Sequence, residues 1–98
     1  MPKKRPLTRE ETLARRREIA LRAARGELRL PEAIRDVREA EGLTQAEFAE
    51  RCGLTRLQLL DLEKGRGNPK LETLQRVGLP FGLEIGLVLR RVSGHDPN

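Results

Sequence analysis

Thr55 and Arg56 follow the step Gly53-Leu54 and open a short helical run. A threonine in that place caps a helix with its hydroxyl. The free N–H groups behind it, with the positive end of the helix dipole, suit a phosphate. Gln45 stands in the same way at the start of the preceding short helix, behind Thr44. Two such helix starts across a tight turn suit the backbone of a duplex, with the second helix laid along the major groove. At about 100° per residue, Leu57, Leu60, Asp61 and Lys64 fall on the side of that helix opposite Leu59 and Leu62. The outward set is unusual for reading bases. Leucine can touch a thymine methyl but gives no bidentate contact, and Asp61 is repelled by phosphate. Asp61 can instead accept from a cytosine amino group, or pair with Arg56 or Lys64 on its own helix. Base reading would therefore rest largely on Arg56, with phosphate contacts from Gln45, Thr55, Lys64 and Arg66. The outward leucines keep a second reading open, an apolar patch that faces a protein.

Other chemistry finds little support. Cys52 is the one cysteine, which excludes an intrachain disulfide and fits a reducing cytoplasm. It lies beside an apolar helix face and reads as a small packing residue. His95 stands alone in a polar tail, so no histidine partners a nucleophile and no Cys/His cluster has metal-ligand spacing. The glycines fit no phosphate-loop spacing. We expect no enzyme activity, no metal and no cofactor. Two phenylalanines and no tyrosine or tryptophan argue against modules that stack single-stranded bases. The start, MPKKRP, is basic but no apolar stretch follows as in a signal peptide, and no run approaches a membrane span.

The elements that must hold this constellation are mostly helical. TREE opens a first helix, with Thr8 as cap and Glu11 at the capping-box spacing; it runs to about Arg25 and stops at Gly26. Its apolar positions are thin (Leu13, Ala14, Ala20, Leu21, Ala24) and its polar face is crowded with arginine. It reads as a solvated appendage, a phosphate-contacting arm or a segment that folds on a partner. LPEAIRDVREAEG is a cleaner helix, with Pro31 at its first position and Ala33, Ile34, Val37 and Ala40 on one face. Thr44 and Glu47 form a second capping box, Phe48 and Ala49 point inward, and Gly53 makes the turn with positive φ. After the loop GRGNP, KLETLQRVGL is a further helix with Leu71, Leu74 and Val77 inward. In LEIGLVLRR the period changes to two, placing Leu83, Ile85, Leu87 and Leu89 on one face of a strand. A lone strand leaves its backbone groups unpaired, and the same strand of a second copy would satisfy them across a twofold axis.

The run LTQAEFAERCGLTRLQLLDLEKGRGNPKLETL resembles the Xre, or Cro/lambda-repressor-like, helix-turn-helix family over about residues 31–79. The resemblance implies that Gln45 binds phosphate and supports the recognition helix. It implies that Thr55, Arg56, Leu57 and Asp61 face bases and that Gln58 touches the backbone. It also implies a structural salt bridge between Arg38 and Glu63. A short fourth helix followed by one strand is similar to the HipB-like antitoxins. That subgroup implies a homodimer on the operator of its own operon, with half-sites about one helical turn apart, and a kinase-like toxin as a further partner.

The fold expected is all-α: a lambda-repressor-like bundle of four short helices with an N-terminal helical extension and one C-terminal strand paired across a dimer. The chain of 98 residues divides into a basic arm and helix (1–28), the helix-turn-helix domain (29–79), a dimerisation strand (80–91) and a disordered tail (92–98). The net charge of +5 concentrates at the N-terminus and favours a polyanion. A core of about 60 residues is marginal alone, which also favours a dimer. The function expected is a cytoplasmic transcriptional repressor that binds double-stranded operator DNA, the antitoxin of a toxin–antitoxin operon. The alternatives are a stand-alone regulator of the same family and a protein-interaction module with weakened DNA binding.

Overall fold

The computed structural model describes residues 6–90, so the expected disordered tail and all but Pro6 of the expected arm lie outside the described residues. Five α-helices follow one another: α1 (Arg9–Ala24), α2 (Glu32–Ala40), α3 (Gln45–Cys52), α4 (Arg56–Glu63) and α5 (Leu71–Arg76). A 3-10 turn spans Leu79–Phe81. Among the described residues there is no strand.

Three of these helices start on the same device. The hydroxyls of Thr8, Thr44 and Thr55 accept from the backbone N–H three residues on, and Glu11, Glu47 and Gln58 return the bond to the threonine N–H. Each box satisfies two of the donors a helix start leaves unpaired. α2 begins differently, with Pro31 just outside the helix and no side-chain cap.

The core gathers Ile34 and Val37 of α2, Phe48, Ala49 and Cys52 of α3, Leu54 of the turn, Leu59 and Leu62 of α4, and Val77. Phe48 and Leu59 are fully buried at its centre. Phe81 stacks on Phe48 with ring centroids 5.0 Å apart and planes 9° from parallel, which fastens the 3-10 turn to the core. Leu74 is half-buried and Val77 buried, but Leu71, expected inward, is 59% exposed. It occupies the first position of a six-residue helix, at the open end of the bundle.

α1 is no loose appendage. Ile19 joins the core, whereas Leu13 and Leu21 stay exposed. Its arginines close on the acidic side of α2. Arg16 grips Glu41 with two bonds of 2.9 Å, Arg22 reaches Asp36 at 2.9 Å, and Arg15 donates to the Glu39 carbonyl at 3.0 Å. The rising α1 numbers meet falling α2 numbers, so the helices are antiparallel. The start of α1 therefore lies beside the end of α2, and Leu7 packs against Gly42, where a Cβ would fall 2.7 Å from the Leu7 side chain.

The C-terminal segment departs from expectation. In the single chain, residues 84–90 make no backbone-to-backbone hydrogen bond among the described residues. The single apolar face is also broken. Leu83 and Ile85 are half-buried against the body, while Leu87 and Leu89 are fully exposed. Past Gly86 it is Val88 that turns toward the body, close to Gly26. Arg29 holds the segment in place, donating from Nε to the Gly26 carbonyl at 2.7 Å and from Nη2 to the Leu89 carbonyl at 2.9 Å.

Candidate nucleic-acid interface

α3 and α4 meet across a three-residue turn, Gly53 to Thr55, that the sequence determines closely. Gly53 sits at φ 72°, ψ 31°, the left-handed region that glycine enters without strain. The Leu54 N–H returns to the Ala49 carbonyl at 2.8 Å and buries Leu54 behind the turn. Thr55 then opens α4, and its box with Gln58 is tight, at 2.8 and 3.0 Å. Arg76 of α5 donates to the Gly53 carbonyl at 3.4 Å from the far side.

A chain of four polar side chains ties the two helix starts to the interior. Arg38 Nε donates to Glu63 Oε2 at 2.7 Å, and Arg38 Nη2 to Glu63 Oε1 at 3.3 Å. Both side chains are largely withdrawn from water, at 11% and 6% exposure. The third donor of Arg38, Nη1, holds the Leu43 carbonyl at 3.2 Å, just before Thr44. Gln45 Nε2 donates to Glu63 Oε1 at 3.4 Å, and Gln45 Oε1 accepts from Arg56 Nη2 at 3.3 Å. The starts of α3 and α4 thus stand side by side, with Gln45 and Arg56 in contact on one surface. In a weakly polar setting such a network fixes geometry that two free surface side chains would not keep.

Thr55, Arg56, Leu57, Gln58, Lys64 and Arg66 are exposed, and Gln45 and Asp61 half-buried. Leu57, at 68% exposure, is the most prominent apolar side chain of the face. Leu60, read as outward, is half-buried instead, so the outward apolar area is chiefly one leucine. Asp61 pairs with neither Arg56 nor Lys64: its neighbour is Arg66, 3.9 Å away in the following loop. The Gln58 oxygen is committed to the Thr55 N–H, which leaves its amide N–H groups for a phosphate. Leu83, Ile85, Leu87 and Leu89 lie apart from this face, on the C-terminal segment.

Three groups have shifted acidities, and the pKa of the Arg16 guanidinium is raised by its hydrogen bond to Glu41. The Glu47 carboxyl is held below its usual range by the Thr44 backbone N–H and hydroxyl, with a smaller contribution from Arg51. Burial pushes the Cys52 thiol up to about 11. Among the described residues no cluster of three His, Cys, Asp or Glu could hold a metal ion, and no helix is long and apolar enough to cross a membrane.

Several contacts escaped the sequence reading. The Thr55–Gln58 box had a signal, since a threonine followed three residues later by glutamine is the capping pattern. Ile19 had a weak one in its spacing of four from Ala23. The Arg16–Glu41 and Arg22–Asp36 pairs had none, because they depend on how two separate helices pack.

A helix-turn-helix family model matches residues 34–87. Over 51 residues the chain is 47% identical to an uncharacterized HTH-type transcriptional regulator of Methanothermobacter thermautotrophicus, covering 52% of this chain and 74% of that protein. Over 56 residues it is 36% identical to the immunity repressor protein of Bacillus phage phi105, covering 57% of this chain and 39% of the repressor. Over 66 residues it is 35% identical to the HTH-type transcriptional regulator DdrOP3 of Deinococcus deserti, covering 67% of this chain and 51% of that regulator. The chain therefore spans about half or less of the latter two. No solved structure gives a significant match.

Proposed function

The chain belongs to the helix-turn-helix family, and from that premise we propose that it is a DNA-binding transcriptional regulator acting as a repressor. The observation that carries the proposal is the contact between Gln45 and Arg56, which sets two helix starts on one exposed surface and anchors both to the buried Arg38–Glu63 pair. Gln45, Thr55, Gln58, Lys64 and Arg66 contact phosphates. Arg56 reads a base edge, Leu57 meets a thymine methyl, and Asp61 tunes the approach through Arg66. The name of the phage relative, an immunity repressor protein, supports regulation by repression, and that of the Deinococcus relative supports transcriptional regulation.

The working unit in this reading is a homodimer. Leu87 and Leu89 stand at 102% and 92% exposure on a segment whose backbone lacks partners, and the same segment of a second copy supplies both. Sedimentation reads this directly: the wild-type chain sediments as a dimer, and Leu87→Asp with Leu89→Asp gives monomers. A wild-type monomer at all concentrations overturns the dimer.

A second reading, the antitoxin of a HipB-like operon with a kinase-like toxin as partner, draws on the same exposed leucines. Co-expression with the neighbouring reading frame, followed by co-purification, separates it from a stand-alone regulator.

The principal test is fluorescence anisotropy with DNA from upstream of the chain's own reading frame against a scrambled duplex, across a salt series. Selective binding that weakens steeply with salt is the expected result, each phosphate contact adding about −0.9 to the log–log slope. Weak and equal binding to both duplexes would refute the repressor and direct attention to a protein partner at Leu57.

A further inference from the structure

Away from the α3–α4 face, the C-terminal segment and the body border a cavity of about 490 Å³. The Leu83 N–H donates to the Gly78 carbonyl at 3.0 Å and draws the chain close there: a Cβ on Gly78 would fall 2.9 Å from the Leu83 carbonyl oxygen. Beyond Leu83 the cavity opens between the two. Ala33, Ile34 and Val37 line it from α2, and Leu83, Ile85 and Val88 from the segment. Clefts that hold small molecules measure about 300–1,000 Å³ and are mostly apolar, with a few polar groups that orient the ligand. This cavity has that size and that lining.

Two charged side chains line it, Arg29 and Glu84, and they stand differently. Glu84 is exposed, so water solvates its carboxylate. Arg29 is half-buried and makes no ion pair among the described residues. Its partners are two neutral carbonyls, those of Gly26 at 2.7 Å and Leu89 at 2.9 Å. A guanidinium carries five N–H donors, and these bonds use two of them. Three donors therefore remain on a cation that is partly withdrawn from water and lacks a counter-charge. Such a group prefers an anion, and its planar fork suits the paired oxygens of a carboxylate. The two carbonyls also fix the guanidinium before any ligand arrives, which lowers the cost of ordering it on binding.

We propose that this cavity binds a small amphiphilic carboxylate, with its hydrocarbon chain against the apolar lining and its carboxylate on the free donors of Arg29. The charge of Arg29 decides the head group, and the apolar wall decides the rest. The site goes beyond the repressor reading and does not rest on it, so its test contains no DNA.

The test is calorimetric titration of the full-length chain with decanoate, octanoate, decanol and decylamine, each below the concentration at which it forms micelles. Decanoate should saturate at one per chain. Octanoate should bind about fifteenfold more weakly, at about fourfold for each buried methylene lost. Decanol should bind at least about tenfold more weakly than decanoate, since it forgoes the bond between two charged groups, and decylamine more weakly still. Two variants are compared, with circular dichroism to check that both are as helical as the wild type. Arg29→Gln should bring decanoate down to the level of decanol and leave decanol as it was. Arg17→Gln, at an exposed arginine of α1 outside the cavity lining, should change neither.

No saturable binding of decanoate to the wild-type chain overturns the proposal, whether a second copy fills the cavity or the segment closes it. Decanol or decylamine binding as tightly as decanoate overturns it on the wild-type chain alone, with no variant needed. An equal loss in Arg17→Gln also overturns it, because the attraction would then be general charge. So does a loss of decanol in Arg29→Gln equal to that of decanoate, because Arg29 would then act only by holding the segment.

Discussion

Replacing Arg38 by methionine should be among the most damaging single changes to this chain. The guanidinium is 11% exposed and the Glu63 carboxylate 6%. Methionine fills similar space but leaves that carboxylate with one long bond, from Gln45 Nε2 at 3.4 Å, and the Leu43 carbonyl without its donor. Removing one partner of a buried pair costs about 3–5 kcal/mol. Gln45 offsets part of this, so about 3 kcal/mol is expected. At about 4–8 °C per kcal/mol for a domain of this size, the melting temperature should fall by about 12–24 °C. Urea denaturation followed by far-ultraviolet circular dichroism measures the loss, provided the slope against urea is unchanged. The double variant Arg38→Met, Glu63→Leu removes both charges and should recover most of the loss, because an apolar pair of similar volume is about as stable as a buried ion pair. The reasoning fails if Arg38→Met costs less than about 1 kcal/mol, the worth of an exposed pair. It also fails if the double variant is no more stable than the single one.

Other outcomes follow from the same geometry. Gly53→Ala should cost about 1–2 kcal/mol in urea denaturation; no atom lies within 4 Å of the added methyl, so the cost is the left-handed backbone alone. Ile19→Ala should release α1, seen as loss of amide-exchange protection across Arg9–Ala24 while α3 and α4 keep theirs; equal loss everywhere would mean that α1 and the bundle unfold as one unit. The Cys52 thiol, raised from 9.0 to about 11, binds its proton more tightly in the folded chain than in the unfolded one. Its contribution to stability is therefore complete below about pH 9 and lost as pH rises toward 11. Cys52→Ala should flatten that part of the pH–stability curve, and labelling of the native thiol near pH 8 should be slow until the chain is unfolded.

Local chemistry made much of this fold legible. The threonine caps, the turn glycine and the alternation of apolar residues in α2, α3 and α4 depend on neighbours a few positions away, and Ala33, Ile34, Val37, Phe48, Leu59 and Leu62 are buried as their spacing predicts. The errors lie where spacing meets an end or a second element. Leu71 has helical spacing from Leu74, yet the helix is too short to carry it under cover. Leu13 and Leu21 stand on the apolar side of α1 in the sequence, but the arginine clamps hold the helix with Ile19 facing inward. The period-two pattern after Gly82 was real in the sequence, but alternation fixes a strand only where another strand completes its hydrogen bonds. The candidate face itself combined both cases. Gln45, Thr55 and Arg56 could be placed by cap position, whereas the contact of Gln45 with Glu63 and Arg56 comes from tertiary packing.

The polar chain running from Arg38 to Arg56 divides the outer surface by how freely it can evolve. Gln45 and Arg56 hold each other, Gln45 holds Glu63, and Thr55 and Gln58 hold the helix start, so a change at any of them alters the scaffold together with the ligand contact. Leu57 supports nothing else, and the Asp61–Arg66 contact is long and exposed. Retargeting this protein, by mutation over generations or by design, is therefore cheapest at Leu57 and Asp61, where a new preference can arise without rebuilding what presents it.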